Sequence, residues 1–151
     1  MTKLEVLSDY ACPYCYEGHK NLRELLPELP DIQVVWNPFE THRRSDRYGK
    51  HSDICIMGMY YSRENNLDII EYHDIVYKAV FEDRIDIENI HDFSEYLGGF
   101  IDRGEFTKQI NDGKYKPDLK RSNAYAYKEN GIWVVPSYKI CNEIKEASEH
   151  I

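Results

Sequence analysis

Long apolar runs are missing from this sequence, and no stretch is long enough to cross a bilayer as a helix. The first six residues, Met1 to Val6, also lack the basic and apolar regions of a signal peptide. Unless a leader was removed before Met1, we therefore expect a cytoplasmic protein without a membrane partner.

Basic residues are too few to balance the acidic ones. Lys and Arg number 19 against 27 Asp and Glu, so the formal net charge is −8. Because binding to phosphate groups needs a cationic surface, this charge argues against nucleic acid or an anionic membrane as the main partner.

Cysteine is also scarce, with 4 in 151 residues, which is too few for a disulfide scaffold. Cys12 and Cys15 form one close pair, whereas Cys55 and Cys141 stand alone. One close pair with two lone thiols fits redox chemistry in a reducing compartment. We expect the two lone cysteines to be small buried hydrophobic residues.

The close pair lies in Cys12-Pro13-Tyr14-Cys15, where a strand pattern gives way to a helix pattern. Residues 3–7 are rich in apolar side chains, and leucines recur at helical spacing at positions 22, 25, 26 and 29. Proline is tolerated in the first helical turn, where its missing N–H costs nothing. The sequence therefore predicts that Cys12 lies at the positive end of the helix dipole and is the nucleophilic thiolate. Cys15, buried in the first turn, is then the resolving thiol.

The rest of the chain alternates between strand and helix patterns. Residues 32–36 predict a second strand and complete a βαβ unit with a parallel pair. Residues 41–52 are polar and basic and predict a solvated loop. Helical patterns then run to a helix over 119–130, and strand patterns return over 132–135, 136–140 and 144–147. We predict an α/β fold in which 1–40 and 131–151 form one domain. Residues 41–130 form a mainly helical insertion, whose last helix, 119–130, returns to that domain.

A proline inside an apolar strand pattern is the second unusual feature, since Pro136 deletes a ladder hydrogen bond. Together with the close cysteine pair, it makes the chain resemble the DsbA-like thioredoxin family. Within that family the chain is most similar to the FrnE-like branch, which also includes 2-hydroxychromene-2-carboxylate isomerases. The segments that carry this resemblance are Ser8 to Gly18, Asn37 to Glu40, Tyr77 to Phe81 with Asp86 to Asn89, and Asn130 to Ser137.

The resemblance implies a thioredoxin fold, a central mixed sheet with a large all-helical insertion. It implies catalytic roles for Cys12, Cys15 and Pro136, and a cis Val135–Pro136 peptide beside Cys12. Substrate contacts are expected from Pro13, Tyr14 and Val135. The implied activity is thiol–disulfide exchange with protein or small-molecule disulfides and thiols. It needs no metal and no bound cofactor, and glutathione is an alternative substrate.

The family also ends in a strand and a helix that covers the sheet. This sequence stops at Ile151 and leaves little room beyond the strand, so we expect the C-terminal helix to be missing. A sheet face near Ile140 and Ile144 would then be uncovered unless a second copy covers it in a homodimer. A Gly usual before the valine of the proline loop is replaced here by Val134.

Two other functions remain open. Kappa-like relatives are glutathione-dependent isomerases or transferases, which use a single Ser or Cys at the nucleophile position; the complete Cys pair argues against this. Other thioredoxin-fold proteins are adaptors without enzymatic activity, and the helical insertion would then be the docking surface.

Three polar positions near these motifs have alternative interpretations. His19 follows Cys15 by one helical turn, so a zinc site formed by Cys12, Cys15 and His19 is conceivable, although its fourth ligand would have to come from a distant segment. Asp9 favours a loop-to-helix cap over a proton carrier. His73 falls on an apolar helical face and predicts a hydrogen-bonded core histidine.

Overall fold

The computed structural model describes residues 2–141 and 143–146, which form a single four-stranded sheet and six α-helices. The strands are β1 Thr2–Ser8, β2 Ile32–Pro38, β3 Ser137–Ile140 and β4 Glu143–Glu146, in the order β2-β1-β3-β4. β1 and β2 are parallel, whereas β3 is antiparallel to both β1 and β4. The sheet is therefore mixed, as expected.

One helix lies between the parallel strands, and the other five come after β2. The helices are α1 Pro13–Leu25, α2 Asp53–Glu64, α3 Ile69–Phe81, α4 Ile90–Leu97, α5 Arg103–Asn111 and α6 Lys116–Ala124. None of the helices among the described residues has the length and apolar character needed to cross a membrane.

The helix α3 begins at a capping aspartate and packs one face inward. The Asp68 carboxylate accepts hydrogen bonds from the N–H groups of Ile70 and Glu71, at 2.9 and 3.2 Å. Six of its residues are buried, namely Tyr72, His73, Val76, Tyr77, Ala79 and Val80. Their helical spacing produces the apolar face that joins the core of the insertion to the sheet.

The two faces of the sheet have different covers. Val6 pairs with Trp36 and Tyr138, so the three side chains share a face, and this face lies against α1. Leu7 points to the opposite face, because successive residues of a strand alternate. There it packs in a smaller cluster with Phe39, Ala126 and Ile132.

This alternation corrects the prediction that Ile140 and Ile144 lie together on one uncovered face of the sheet. Ile144 pairs with Lys139, one residue away from Ile140, so Ile140 and Ile144 lie on opposite faces. Ile144 packs against the cluster around Leu7, while Ile140 remains 39% exposed on the α1 side. The prediction that a covering C-terminal helix is missing concerns residues 147–151, which lie outside the described residues, as does Ala147 of the predicted last strand.

Several predicted elements differ from the structure. Residues 132–135 are not a strand, because the Ile132 N–H donates to the carbonyl of Ala126 at 2.9 Å instead of to the sheet. The helix predicted over 119–130 begins earlier, at Lys116, and ends in a π turn, Tyr125–Glu129. The Asp86 carboxylate, which the sequence predicts as the cap of α4, accepts the N–H of Glu88 at 3.0 Å instead, and the cap is Asn89, whose side chain accepts the N–H of Asp92 at 3.1 Å. The division into 1–40 with 131–151 and 41–130 stays a prediction.

Candidate active site

The N-terminus of α1 has the geometry expected for the cysteine pair. Cys12 is the N-cap residue, with extended backbone at φ −99° and ψ 122°, and Pro13 occupies the first helical position. The carbonyl of Cys12 accepts the N–H groups of Cys15 and Tyr16, at 3.1 and 3.2 Å. The Cys12 side chain makes no capping bond to the first turn. It remains at the end of the helix where unpaired N–H groups favour negative charge.

The two thiols have opposite environments. Cys12 is partly exposed, whereas Cys15 is 2% exposed and accepts the N–H of Asp9 at 3.4 Å. A hydrogen bond with the Cys15 thiol, aided by backbone N–H groups of Cys15 and Tyr14, lowers the pKa of Cys12 from 9.0 to about 6. Burial and the bond to Cys12 raise the pKa of Cys15 well above its usual value. Both cysteines are free thiols in the structure.

The proline loop lies beside the pair. The Val135–Pro136 peptide bond is cis. The Cys12 thiol donates to the carbonyl oxygen of Val135 across 3.9 Å between S and O, although 123 residues separate them. Pro136 and Cys15 line the same small cavity beneath the site. The structure thus brings together four of the six predicted site residues: Cys12, Cys15, Val135 and Pro136.

The other two predicted site residues lie on the outer side of the first helical turn. Pro13 is exposed, and Tyr14 is 67% exposed. Sequence reasoning missed a second exposed aromatic residue, Trp133, which is 91% exposed in the loop before Val135. Its position within an apolar run predicted a strand, and only its short distance in sequence from Pro136 pointed to the site.

Asp9 holds the active-site loop through hydrogen bonds and is not the N-cap of α1, which is Cys12. Its carboxylate accepts the N–H of Ala11 at 3.0 Å and the N–H of Thr41 at 2.8 Å. It also accepts the Thr41 hydroxyl, and its own carbonyl accepts the N–H of Cys12 at 3.1 Å. Asp9 thereby ties the cysteine loop to the segment after β2. The segment containing Thr41 was expected to be only a solvated loop.

Two histidines, His19 and His73, lie near the pair. His19 Nε2 lies 2.8 Å from Asp74 Oδ1 on α3, and Arg23 pairs with the other oxygen of the same carboxylate. Within the described ranges, no three His, Cys, Asp or Glu side chains form a group able to hold a metal ion. His73 is buried, as predicted, but among the described residues neither of its ring nitrogens has a hydrogen-bond partner. The predicted hydrogen bond is therefore not made to a residue of the described ranges, because the rings of Tyr10, Trp36, Tyr72 and Tyr77 surround His73.

The two lone cysteines have different degrees of burial. Cys55 is completely buried, as expected for a small hydrophobic residue, and burial raises the pKa of its thiol. Cys141 is exposed, in a turn with a positive φ of 52°. The prediction for Cys141 is wrong because this tight turn at the end of β3 carries its side chain out of the sheet.

The model of the DsbA-like thioredoxin domain matches residues 3–54, which include all of α1 and β2 and β1 from its second residue. Solved structures extend this likeness over nearly the whole chain. A probable DsbA oxidoreductase of Streptomyces coelicolor superposes with a TM-score of 0.79 and 16% identity, over 97% of this chain and 83% of that one. The chain has the DsbA-like thioredoxin fold.

Other relatives of this DsbA-like fold include both oxidoreductases and an isomerase. DsbA of Pseudomonas aeruginosa has a TM-score of 0.69 and 18% identity, over 96% of this chain and 72% of that one. A 2-hydroxychromene-2-carboxylate isomerase has a TM-score of 0.77 and 13% identity, over 98% and 90%. An uncharacterized protein of Bacillus subtilis, YwbO, is 22% identical over 91% of this chain and 86% of its own length. The resemblance to the DsbA-like thioredoxin family is confirmed, while the FrnE-like branch stays a prediction.

Proposed function

We propose that this protein is a thiol–disulfide oxidoreductase that exchanges disulfides through Cys12 and Cys15. The observation that carries the proposal is the contrast between the two thiols. The pKa of Cys12 is lowered to about 6, so this residue is mostly thiolate at neutral pH, whereas burial keeps Cys15 protonated. An attacking thiolate beside a protected second thiol is the arrangement that two-step exchange requires.

The chemistry follows in two substitutions at sulfur. The Cys12 thiolate attacks one sulfur of a substrate disulfide, forms a mixed disulfide and releases the other substrate sulfur as a thiolate. The Cys15 thiol then loses its proton and attacks Cys12. The second substrate thiolate leaves, and the Cys12–Cys15 disulfide remains. Two protein thiols are oxidised and one substrate disulfide is reduced; the reverse sequence oxidises a dithiol.

Protein segments are the substrate class that we favour. Tyr14 in the first turn of α1 is 67% exposed, and Trp133 in the loop before Val135 is 91% exposed. Aromatic side chains are enriched where proteins bind one another. The Val135 carbonyl already contacts the Cys12 sulfur, so the proline loop is positioned to meet a chain that reaches this atom. Small-molecule disulfides, including glutathione disulfide, are the alternative substrates.

The test measures reduction of insulin disulfides by the reduced protein, together with the equilibrium of the Cys12–Cys15 pair in a glutathione redox buffer. We expect turnover, and complete loss of it in Cys12→Ser. The matched control is Cys141→Ser, which removes an exposed thiol outside the site and should retain turnover. Wild-type protein that shows no turnover with any disulfide would contradict the proposal and favour an adaptor function.

A glutathione-dependent isomerase is a second candidate, favoured by the structural likeness to the 2-hydroxychromene-2-carboxylate isomerase. Such an activity uses Cys12 to hold glutathione and has no need of the second thiol. Product formation that requires glutathione and survives Cys15→Ser would support it. If Cys15→Ser forms no product in the glutathione-dependent assay and no longer turns over disulfides, the result would support disulfide exchange.

The cytoplasmic location of the protein and the lack of a bound cofactor stay predictions. An exposed free thiol at Cys141 fits a reducing compartment, because exposed thiols oxidise outside it. Fractionation of cells that produce the protein, with immunodetection in each fraction, tests the location.

A homodimer also stays a prediction. The supporting observation is a set of exposed apolar side chains on the α1 side of the molecule, Leu25, Leu29 and Ile140, at 50%, 40% and 39% exposure. Light scattering at micromolar concentration distinguishes the two states. A clean monomer with normal thermal stability would contradict the dimer.

A further inference from the structure

A small enclosed cavity lies directly beneath the candidate active site. Its walls include Ser8, Cys15, His19, His73, Tyr77 and Tyr138. The space open to the centre of a water-sized sphere is about 10 Å³. That is close to the minimum of about 10–15 Å³, on the same measure, that holds one water molecule.

The cavity wall carries polar atoms that have no partner among the described residues. Both ring nitrogens of His73 are buried and make no hydrogen bond within the part of the chain that the structure describes. Buried polar groups in folded proteins are nearly always paired, with protein or with an ordered water. His73 and Cys15 line the same cavity. A water molecule in this cavity would give the His73 ring a hydrogen-bond partner and would lie next to Cys15.

A second histidine of this wall is held in a fixed orientation. His19 follows Cys15 by one turn of α1, and its Nε2 lies 2.8 Å from Asp74 Oδ1. This contact uses Nε2 as the donor when the ring is neutral and leaves Nδ1 as the acceptor. A base oriented by a carboxylate, next to a nucleophilic side chain, is a common arrangement in covalent catalysis. The Asp74 side chain is 28% exposed and connects this pair to solvent.

We propose that the cavity holds one water molecule and that His19 exchanges the proton of Cys15 through this water. The inference rests on the proposed disulfide exchange and assigns His19 and Asp74 to its second step. His19 is a positioning and proton-transfer residue that acts on Cys15 through the water. His73 is the second partner of that water.

The second step needs such help because Cys15 is buried and protonated. Burial raises the pKa of Cys15, so few molecules carry the thiolate that must attack Cys12. Burial lowers the pKa of His19 below 6.5, against the opposing effect of Asp74, so its ring is neutral and ready to accept a proton at neutral pH. Burial also keeps His73 neutral.

The Cys15 sulfur bonds to the Cys12 sulfur, and the bond between Cys12 and the substrate sulfur breaks, with its electron pair leaving on the substrate thiolate. The Cys15 proton passes to the water, and a proton of the water passes to His19 Nδ1. Asp74 stabilises the imidazolium until its proton goes to the departing thiolate or to solvent. When the Cys12–Cys15 disulfide is reduced, the same relay returns a proton to Cys15.

The pH dependence involves charged and titratable groups from every element around the cavity. These are Cys12 at the N-cap of α1 and Arg23 within it, Asp9 and Tyr10 of the preceding loop, Arg63 of α2, Asp74 and Tyr77 of α3, and Tyr138 of β3. Arg23 opposes protonation of His19, and Asp74 favours it. The exchange rate of the second step should therefore fall at acidic pH, where His19 is already protonated, and level off above it.

The test separates the two steps with Ellman's reagent, supplied below one equivalent to reduced protein. All variants carry Cys141→Ser, because Cys141 is exposed and would react by itself. The first release of coloured thiolate reports attack by Cys12, and the second reports attack by Cys15. We compare His19→Gln, which can still donate to Asp74, and Asp74→Asn with a control, His91→Gln, at an exposed histidine on α4.

General acid–base catalysis by a positioned side chain contributes about 10²–10⁴-fold, so we expect the second phase of His19→Gln to slow about 100-fold at neutral pH. Asp74→Asn should slow it less, and the first phase should be unchanged in both. The second phase of His19→Gln should then rise tenfold per pH unit and approach the wild-type rate at alkaline pH. His91→Gln should match the wild type.

Each contrary outcome has a separate meaning. If the first phase is absent in the wild type, the proposed disulfide exchange itself is wrong. If the first phase is present and the second keeps its rate in His19→Gln, the relay is overturned. A second phase that is slowed equally at every pH also overturns it, because a structural defect, unlike a missing base, is not compensated by hydroxide.

Discussion

The two ends of α1 differ both in their residues and in their surroundings. At the N-terminal end, Cys15 and His19 are 2% and 8% exposed. At the C-terminal end, Leu25 is 50% exposed, and Leu29, just beyond it, is 40% exposed. The more polar end is therefore the buried one, against the expectation from the leucine spacing. Hydrophobic periodicity shows which side chains can share a face, but not whether another element covers that face.

The cover of the N-terminal end comes from α3 of the helical segment. The ring of Tyr16 stacks on Tyr77 and Phe81, with centroids 5.4 and 5.6 Å apart. The ring centroids of His19 and Tyr77 are 5.4 Å apart, and His19 is hydrogen-bonded to Asp74. This aromatic layer separates Cys15 from bulk solvent, and the resulting burial raises the pKa of Cys15 well above its usual value. The helical insertion thus shapes the chemistry as well as enlarging the protein.

The largest expected effect is on the fate of the mixed disulfide. Cys15→Ser removes the thiol that attacks Cys12, so the first bond forms and cannot be resolved. We expect this variant to accumulate mixed disulfides in lysate, visible on non-reducing gels, and to lose multiple turnover.

Cys12→Ser is the matched control for this trapping experiment. It should give no adducts, because the buried Cys15 is inaccessible and its raised pKa keeps it protonated. Equal adduct levels in the two variants would show that the burial contrast does not divide the roles of the thiols.

The next effect is on reactivity against pH. Because the thiolate is the nucleophile, alkylation of Cys12 by iodoacetamide should rise through a midpoint near pH 6. A free thiol has its midpoint at about 8.5. The largest cause is the hydrogen bond from Cys15, so Cys15→Ala should move the midpoint upward. Mass spectrometry of the alkylated peptide, in a Cys141→Ser background, measures both. An unchanged midpoint in Cys15→Ala would leave the helix N-terminus as the dominant cause.

The smallest effects concern stability and compare the covered end of α1 with the open one. Tyr77→Ala removes a buried ring from the layer over Cys15 and His19 and should cost about 3–5 kcal/mol, as other large aromatic truncations do. Leu25→Ala removes a half-exposed side chain and should stay within about 0.5 kcal/mol. Urea unfolding measures both. A large loss in Leu25→Ala would show that the open end is covered in solution, as a homodimer requires.

Most of the candidate site was predictable because its residues lie in short sequence motifs. The spacing of Cys12 and Cys15 and the proline at the first helical position are local features of a strand-to-helix junction. Val135 and Pro136 entered through a family resemblance, since 123 residues separate Val135 from Cys12. The bond between His19 and Asp74 joins residues 55 apart and has no sequence signal, because either side chain is ordinary on a helix surface.

The sequence by itself determined the local structure of this protein: the βαβ start, the capped and amphipathic α3, and Cys12 at a helix N-terminus. These follow from backbone propensity, proline geometry and side-chain spacing, which act over a few residues. Only the tertiary structure decided that α3 covers Cys15, that Ile140 and Ile144 lie on opposite faces, that Trp133 is exposed, and that His73 lines a cavity. Burial depends on which remote segments pack together, and pKa values and access to the thiols depend on burial.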